Sequence, residues 1–255
     1  MAVKVQRLVV LLSLAWAGAS AAKAKTTALP ASFPQCSIKD PNINACLRQA
    51  VQIVIPELVK GVPSLGVYSI DPLDIVEANI GATEGPVALS LDFKQLKIGG
   101  LRTTRMLSLS FDPKTYRIAM RAKVEAPLRL DGNYKIAGKV LVLPIQGEGL
   151  CSLRLDDVTA DINLAMHEES RGGVKYLAVD KLSLSFDTSR LHMKFENLFN
   201  GNKELGDNMN RFLNENWPEI LKELKPSIDD TFGAAFQAIA NRIFHKVPLD
   251  KVFLP

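Results

Sequence analysis

Few residues in this chain have the type and spacing that chemistry needs. The three histidines, His167, His192 and His245, are the natural general bases or metal ligands. They lie far apart with no paired metal spacing, so each reads as a surface or hydrogen-bonded side chain. Asp156-Asp157 and Glu168-Glu169 could act as paired carboxylates in acid–base work. Asp156-Asp157 fits a β-bulge better, and Glu168-Glu169 a solvated loop. Asp71-Pro72-Leu73-Asp74 reads as a turn. There is no G-x-S-x-G elbow, no phosphate-cradling loop and no dinucleotide-binding glycine pattern. The residues ask for no enzyme, no metal and no cofactor.

The cysteines carry more information. Residues 1–22 read as a signal peptide: Lys4 and Arg7, an apolar run from Leu8 to Ala17, then Ala19-Ser20-Ala21. The run falls short of the ~20 apolar residues that span a bilayer. No later segment spans one, so the expected mature domain, 23–255, is soluble and secreted. Both basic residues of the leader leave with it, and the formal charge falls from +4 to +2. So small a charge argues for no nucleic-acid partner. Secretion permits a disulfide. Cys36 and Cys46 bracket a short loop and are the natural pair. Cys151 is left over, either buried or paired outside the chain. No Asn-x-Ser/Thr site occurs, so no N-glycan is expected.

These residues must be positioned by three blocks of sequence. Residues 23–35 read as a loose arm. A helix follows, capped by Asp40 with Pro41 in its first turn, and kinked or restarted at Pro56. From about 66 to 200 the apolar period is two. Tyr116, Ile118, Met120, Ala122, Val124, Ala126, Leu128 and Leu130 share one face, as one strand of about fifteen residues. Arg117, Arg121, Lys123 and Arg129 share the other, which reads as a solvated face or as an anion-binding stripe. Pro127 suggests an edge or bulge, Asp131-Gly132-Asn133 a turn, and Asp156-Asp157 a bulge where the register switches. Past 200 the period is helical again. One stripe runs from Leu205 to Leu224. A further helix, capped by Ser227, carries Ile228, Phe232, Phe236, Ile239 and Ile243 on a body slimmed by Gly233 and alanines. Segregated helices and strands predict α+β, with a curled antiparallel sheet around the slim C-terminal helix.

At this point the chain resembles the insect takeout and haemolymph juvenile hormone-binding protein family. The resemblance rests on CSIKDPNINACL at 36–47, GVYSIDPLDI at 66–75 and LRLDGNYKIAGKVLVLPIQGEG at 128–149. NLFNGNKELGDNMNRFLNENWPEIL at 197–221 and the ending KVPLDKVFLP at 246–255 complete it. The resemblance implies a long C-terminal helix wrapped by a strongly curved antiparallel β-sheet, of the tubular lipid-binding type. It implies an internal tunnel for an isoprenoid, a fatty acid or a similar chain, and it also carries a disulfide onto Cys36 and Cys46. Hormone-binding members have a second disulfide, which one spare cysteine cannot form. The resemblance is therefore closer to takeout-like members, which are linked to feeding, clock output and chemosensation.

The expected function is a secreted, monomeric carrier of a small hydrophobic ligand, with no stable membrane insertion. Tyr116 and Tyr134 are its candidate polar handles, since each heads an apolar face and brings a hydroxyl; both also read as ordinary core or rim tyrosines. Phe232, Phe236 and Ile239, with Met120 and Val124 opposite, are candidate wall residues. A membrane-engaging lipid transfer protein is the alternative. It would need an exposed apolar tip or a working basic stripe.

Overall fold

The structure, a computed structural model, describes residues 27–255. The leader expected over 1–22 lies outside them. The described chain begins with β1 (Cys36–Ser37) and α1 (Ile43–Lys60). Nine longer strands follow: β2 (Leu73–Ala82), β3 (Val87–Gly99), β4 (Thr104–Asp112), β5 (Arg117–Val124), β6 (Leu128–Val140), β7 (Leu143–Asp156), β8 (Thr159–Arg171), β9 (Val174–Asp187) and β10 (Arg190–Phe195). Helices α2 (Lys203–Glu215), α3 (Trp217–Phe244) and α4 (Leu249–Val252) and a short β11 (Phe253–Leu254) close the chain.

The class is α+β, with a long C-terminal helix against antiparallel strands, as the apolar periods imply. The nine longer strands form two open sheets, ordered β10-β7-β6-β3-β2 and β4-β5-β8-β9. The longest strands have 14 residues, roughly 46 Å at 3.3 Å each. Helix α3, at 28 residues, is about 42 Å long. Strands and helix therefore match in length.

Several local expectations are corrected. The fifteen-residue strand is two strands. Glu125, Ala126 and Pro127 break it, so β5 joins one sheet and β6 the other. Proline cannot donate to a ladder, and here it marks the crossing between sheets. Asp131-Gly132-Asn133 is no turn but the middle of β6, with Gly132 opposite Cys151. A Cβ on Gly132 would lie 2.9 Å from Leu96 Cα, so glycine serves a close backbone approach. The chain reverses instead at Leu141-Val142. Asp156-Asp157 likewise sits where the chain leaves one sheet for the other, with Asp157 at a φ of 51°. Helix α1 starts after Asn42, and Asp40 bonds the Asn42 N–H without capping the helix. Both α1 and α3 run on through their prolines, Pro56 and Pro226. Ser227 is therefore no cap.

Ser227 and several other helical polar residues have a different task. Two open sheets leave four edge strands, whose free N–H and C=O groups need partners. Helix side chains supply them at helical spacing. On α1, Asn44 and Gln52 accept from Phe111 and Met106 of β4 at 2.8 Å each. Asn210 and Asn214 of α2 bracket Phe195 and Met193 of β10, each amide both donating to and accepting from one residue's backbone. Helix α3 serves two edges. Ser227 accepts from Gly81 and Thr231 donates to Asn79 on β2. Gln237 and Asn241 pair with Leu182 and Val179 on β9.

The chain termini are tied together. Cys36 and Cys46 form a disulfide, and β1 pairs in parallel with β11. Phe253 of β11 stacks on Phe111 at 5.2 Å between ring centroids. The arm before Cys36 is anchored too, through buried Phe33.

Removing one edge amide should be costly. Asn241→Ala leaves the N–H and C=O of buried Val179 with less than their full complement, and should cost about 1–3 kcal/mol in urea denaturation. Asn208→Ala, on the exposed side of α2, should change stability by no more than about 0.5 kcal/mol.

Candidate functional site

The inner faces of both sheets meet α3 along an apolar seam. Alternation turns Ile118 and Met120 of β5, Ile162 of β8, and Leu184 and Phe186 of β9 inward. From α3 come Leu221, Ile228, Phe232, Phe236 and Ile239. All of these remain only half-buried, although each packs against a cluster of fully buried residues. Residues such as Leu65, Leu96 and Leu177, by contrast, are 0% exposed. The seam residues are thus less completely buried than the clusters they pack on.

All seven side chains proposed from sequence fall in two adjoining clusters. Val124, Tyr134, Phe232, Phe236 and Ile239 belong to the cluster of the larger sheet. Tyr116, Met120 and Phe236 belong to the cluster of the smaller one. Phe236 joins the two, and Ile239 reaches a third cluster around Leu65 and Val247. Val124 is fully buried, whereas Met120 keeps some access.

The two tyrosine hydroxyls are already engaged. Tyr134 donates to the Glu196 carbonyl at 2.7 Å, and its ring meets Phe195 edge-on. Burial pushes its phenol up to about 12. Tyr116 sits at the rim with a φ of 49°, and donates to Glu168 at 2.5 Å. Burial, then the Glu168 carboxylate, raises its phenol to about 12 as well. Glu168 in turn pairs with Lys175 at 2.6 Å. It is part of a strand-to-strand network on β8, not of a loop.

The other residues singled out in the sequence are dispersed over the surface. His167 bonds Asp180 at 2.8 Å, and His192 reaches Asp156 at 3.2 Å beside Arg154. The His245 carbonyl accepts from Arg171. Among the described residues, no three His, Cys, Asp or Glu side chains gather where they could hold a metal ion. The basic row is matched by carboxylates in part: Arg121 lies 3.8 Å from Asp161 and Lys123 4.0 Å from Asp157.

Two features escaped the periodicity reading. One is a cleft of about 780 Å³ between α1 and the start of β4, lined by Arg48, Gln52, Arg102 and Arg105 among others. Another is Asp71, whose side chain is only 1% exposed. Its carboxylate accepts from Gly100 N, Arg102 N and Arg102 Nε. Burial works against the anion, but these hydrogen bonds outweigh it and hold the carboxyl below its ordinary value. Cys151, expected to be either buried or paired outside the chain, is buried. It is a free, buried thiol on β7, and burial pushes it up to about 11.

This architecture has known counterparts. The family model for haemolymph juvenile hormone binding protein matches residues 9–254. The chain therefore belongs to that family, which by its name is one of binding proteins. The circadian clock-controlled protein daywake of Drosophila melanogaster is 26% identical over 231 residues, 88% of each chain. A putative beta-carotene-binding protein of Schistocerca gregaria is 22% identical over 84% of each chain. The crystal structure of Epiphyas postvittana Takeout 1 superposes with a TM-score of 0.72 at 29% identity, covering 87% of this chain and 99% of that one.

Two measurements follow from the buried ionisable groups. Cys151 should resist a thiol reagent in the native protein at pH 8 and react once denaturant is added, giving one thiol per chain. The folded pKa of Asp71 lies below its unfolded value, so its contribution is complete above about pH 4 and fades as pH falls through the folded pKa. Asp71→Asn should accordingly lower the urea midpoint at pH 7, with the gap to wild type narrowing as pH falls through the folded pKa.

Proposed function

We propose that this protein is a secreted, monomeric carrier that encloses a small hydrophobic ligand along the seam between its sheets and α3. The ligand class is an isoprenoid such as juvenile hormone, a fatty acid or a similar chain. The observation that carries the reading is the half-buried apolar stripe of α3. Leu221, Ile228, Phe232, Phe236 and Ile239 point inward yet keep accessible surface. In a close-packed interior such residues are normally sealed. Secretion of residues 23–255 is supported by the composition of 1–22, by the Cys36–Cys46 disulfide and by the haemolymph description of the family.

The mechanism is burial. A ligand hiding about 400 Å² of apolar surface gains on the order of 10 kcal/mol, of which association costs take back much. Met120, Val124, Phe232, Phe236 and Ile239 form the wall. Tyr116 and Tyr134 border it, but their hydroxyl protons are committed to Glu168 and to the Glu196 carbonyl. Selection in this reading therefore follows shape and length more than hydrogen bonding. No residue set here asks for catalysis. The relatives named for juvenile hormone and beta-carotene fit this ligand class.

Native mass spectrometry of protein from its own tissue should show a bound apolar molecule, and isoprenoids should displace a fluorescent fatty acid. Met120→Trp, which fills the seam, should weaken that binding at least tenfold while costing about 1–3 kcal/mol of stability. Protein that carries no lipid and binds no probe would sink the carrier reading.

A further inference from the structure

The turn between β6 and β7 is made from the wrong residues for a turn in water. Val140 pairs with Leu143, leaving Leu141 and Val142 as a two-residue loop. Such loops favour Gly, Asn or Asp where φ is positive. Here Leu141 takes a φ of 54°, a conformation that disfavours branched side chains. It half-buries its own side chain and presents Val142 at 82% exposure and Leu143 at 36%.

The neighbouring loop, Thr83 to Pro86, is exposed as well. Val87 pairs with Val140, so the β2–β3 turn, ending in exposed Pro86, lies beside the tip. Exposed Pro144 follows Leu143. Neither proline has an N–H to dehydrate. Groups without free donors enter an apolar phase at lower cost.

We propose that the Leu141–Leu143 tip is a reversible docking site for a zwitterionic lipid surface. The geometry favours lipid over protein. With Leu141 half-buried and Leu143 36% exposed, the tip can bury roughly 200 Å², well below the ~800 Å² per partner of a stable protein interface. A narrow convex tip suits a fluid apolar phase that closes around it. Charge favours a zwitterionic surface: Lys139 of β6 stands near the tip, but Glu84 stands on the adjoining turn and Glu223 approaches Gly85. The more distant Arg121 and Lys123 face Asp161 and Asp157. Nothing at the tip selects anionic lipid. Anchoring by so few side chains is weak and reversible, which suits a protein that exchanges cargo at a surface. The proposal does not depend on the carrier reading, because docking can be read with the interior empty.

The test is flotation of the full secreted protein with phosphatidylcholine vesicles at low and high salt. Wild type should float with the vesicles at both. Val142→Asp and Leu143→Asp should each lower the partition coefficient about tenfold or more. Val76→Asp, at a residue also 82% exposed but in the middle of β2, should float like wild type. Four results would overturn the proposal: no flotation of wild type, full flotation of Val142→Asp, equal loss in Val76→Asp, or binding confined to anionic vesicles and abolished by salt. If Val142→Asp instead changes the sedimentation mass of a self-associating wild type, the tip is a protein contact and the proposal fails. Ligand binding measured alongside reports separately on the carrier reading.

Discussion

Everything in this fold depends on how four open sheet edges are satisfied. An edge strand presents a row of N–H and C=O groups that must find water, another strand or a substitute. Here the substitutes are side-chain amides and hydroxyls on helices. Asn210 and Asn214 each clasp the backbone of one β10 residue from both sides, and Asn241 does the same for Val179 of β9. A side-chain amide carries the same donor and acceptor as a peptide. A helix bearing two of them at i and i+4 can therefore lie against a strand end to end. The helices are placed by this requirement, and the apolar packing follows from where they are placed.

For α3 the requirement is double. Its Ser227 and Thr231 serve β2 while Gln237 and Asn241 serve β9, so the helix must bridge the gap between the sheets. Bridging demands slimness. A Cβ on Gly233 would lie 3.1 Å from the Leu182 carbonyl, tighter than ordinary contact. With its polar positions committed to the two edges, its apolar stripe faces inward. Along that stripe Phe232, Phe236 and Ile239 pack on the buried clusters and stay half-buried.

The sequence shows the period of each block plainly and the joints between blocks poorly. Alternation located the strands, yet could not show that Tyr116 to Leu130 serves two sheets, because inward-facing residues alternate alike in either. Asp131-Gly132-Asn133 has the composition of a turn. Its glycine instead makes room for Leu96, a neighbour brought there by strand pairing. Leu141-Val142 has the composition of a strand and forms the turn. The edge-binding Asn and Gln residues look like any solvated helix face, and only the tertiary neighbour gives them a role. The candidate apolar residues were legible as two groups on two elements. That Phe236 joins their clusters was not. The tyrosine hydroxyls were legible as groups needing partners, but Glu168 and the Glu196 carbonyl are 52 and 62 residues away.

The two ends of α3 differ in a way that bears on local opening. Near its C-terminus the chain ends are tied by the Cys36–Cys46 disulfide, by β1 pairing with β11, by Phe253 stacked on Phe111 and by Arg171 bonding the His245 carbonyl. Opening that end would break several unlike interactions together. Near its N-terminal third lie the β2–β3 and β6–β7 turns, held by ladder pairs, apolar contact and the Ser227 and Thr231 bonds to β2, with no covalent cross-link. Local opening follows the weakest set of contacts, and that end has the fewer ties. Cys151 adds no second staple: it is a free thiol buried on β7 beside the Gly132 carbonyl. The single disulfide thus makes one end of the molecule firm and leaves the end with the apolar tip the easier one to part.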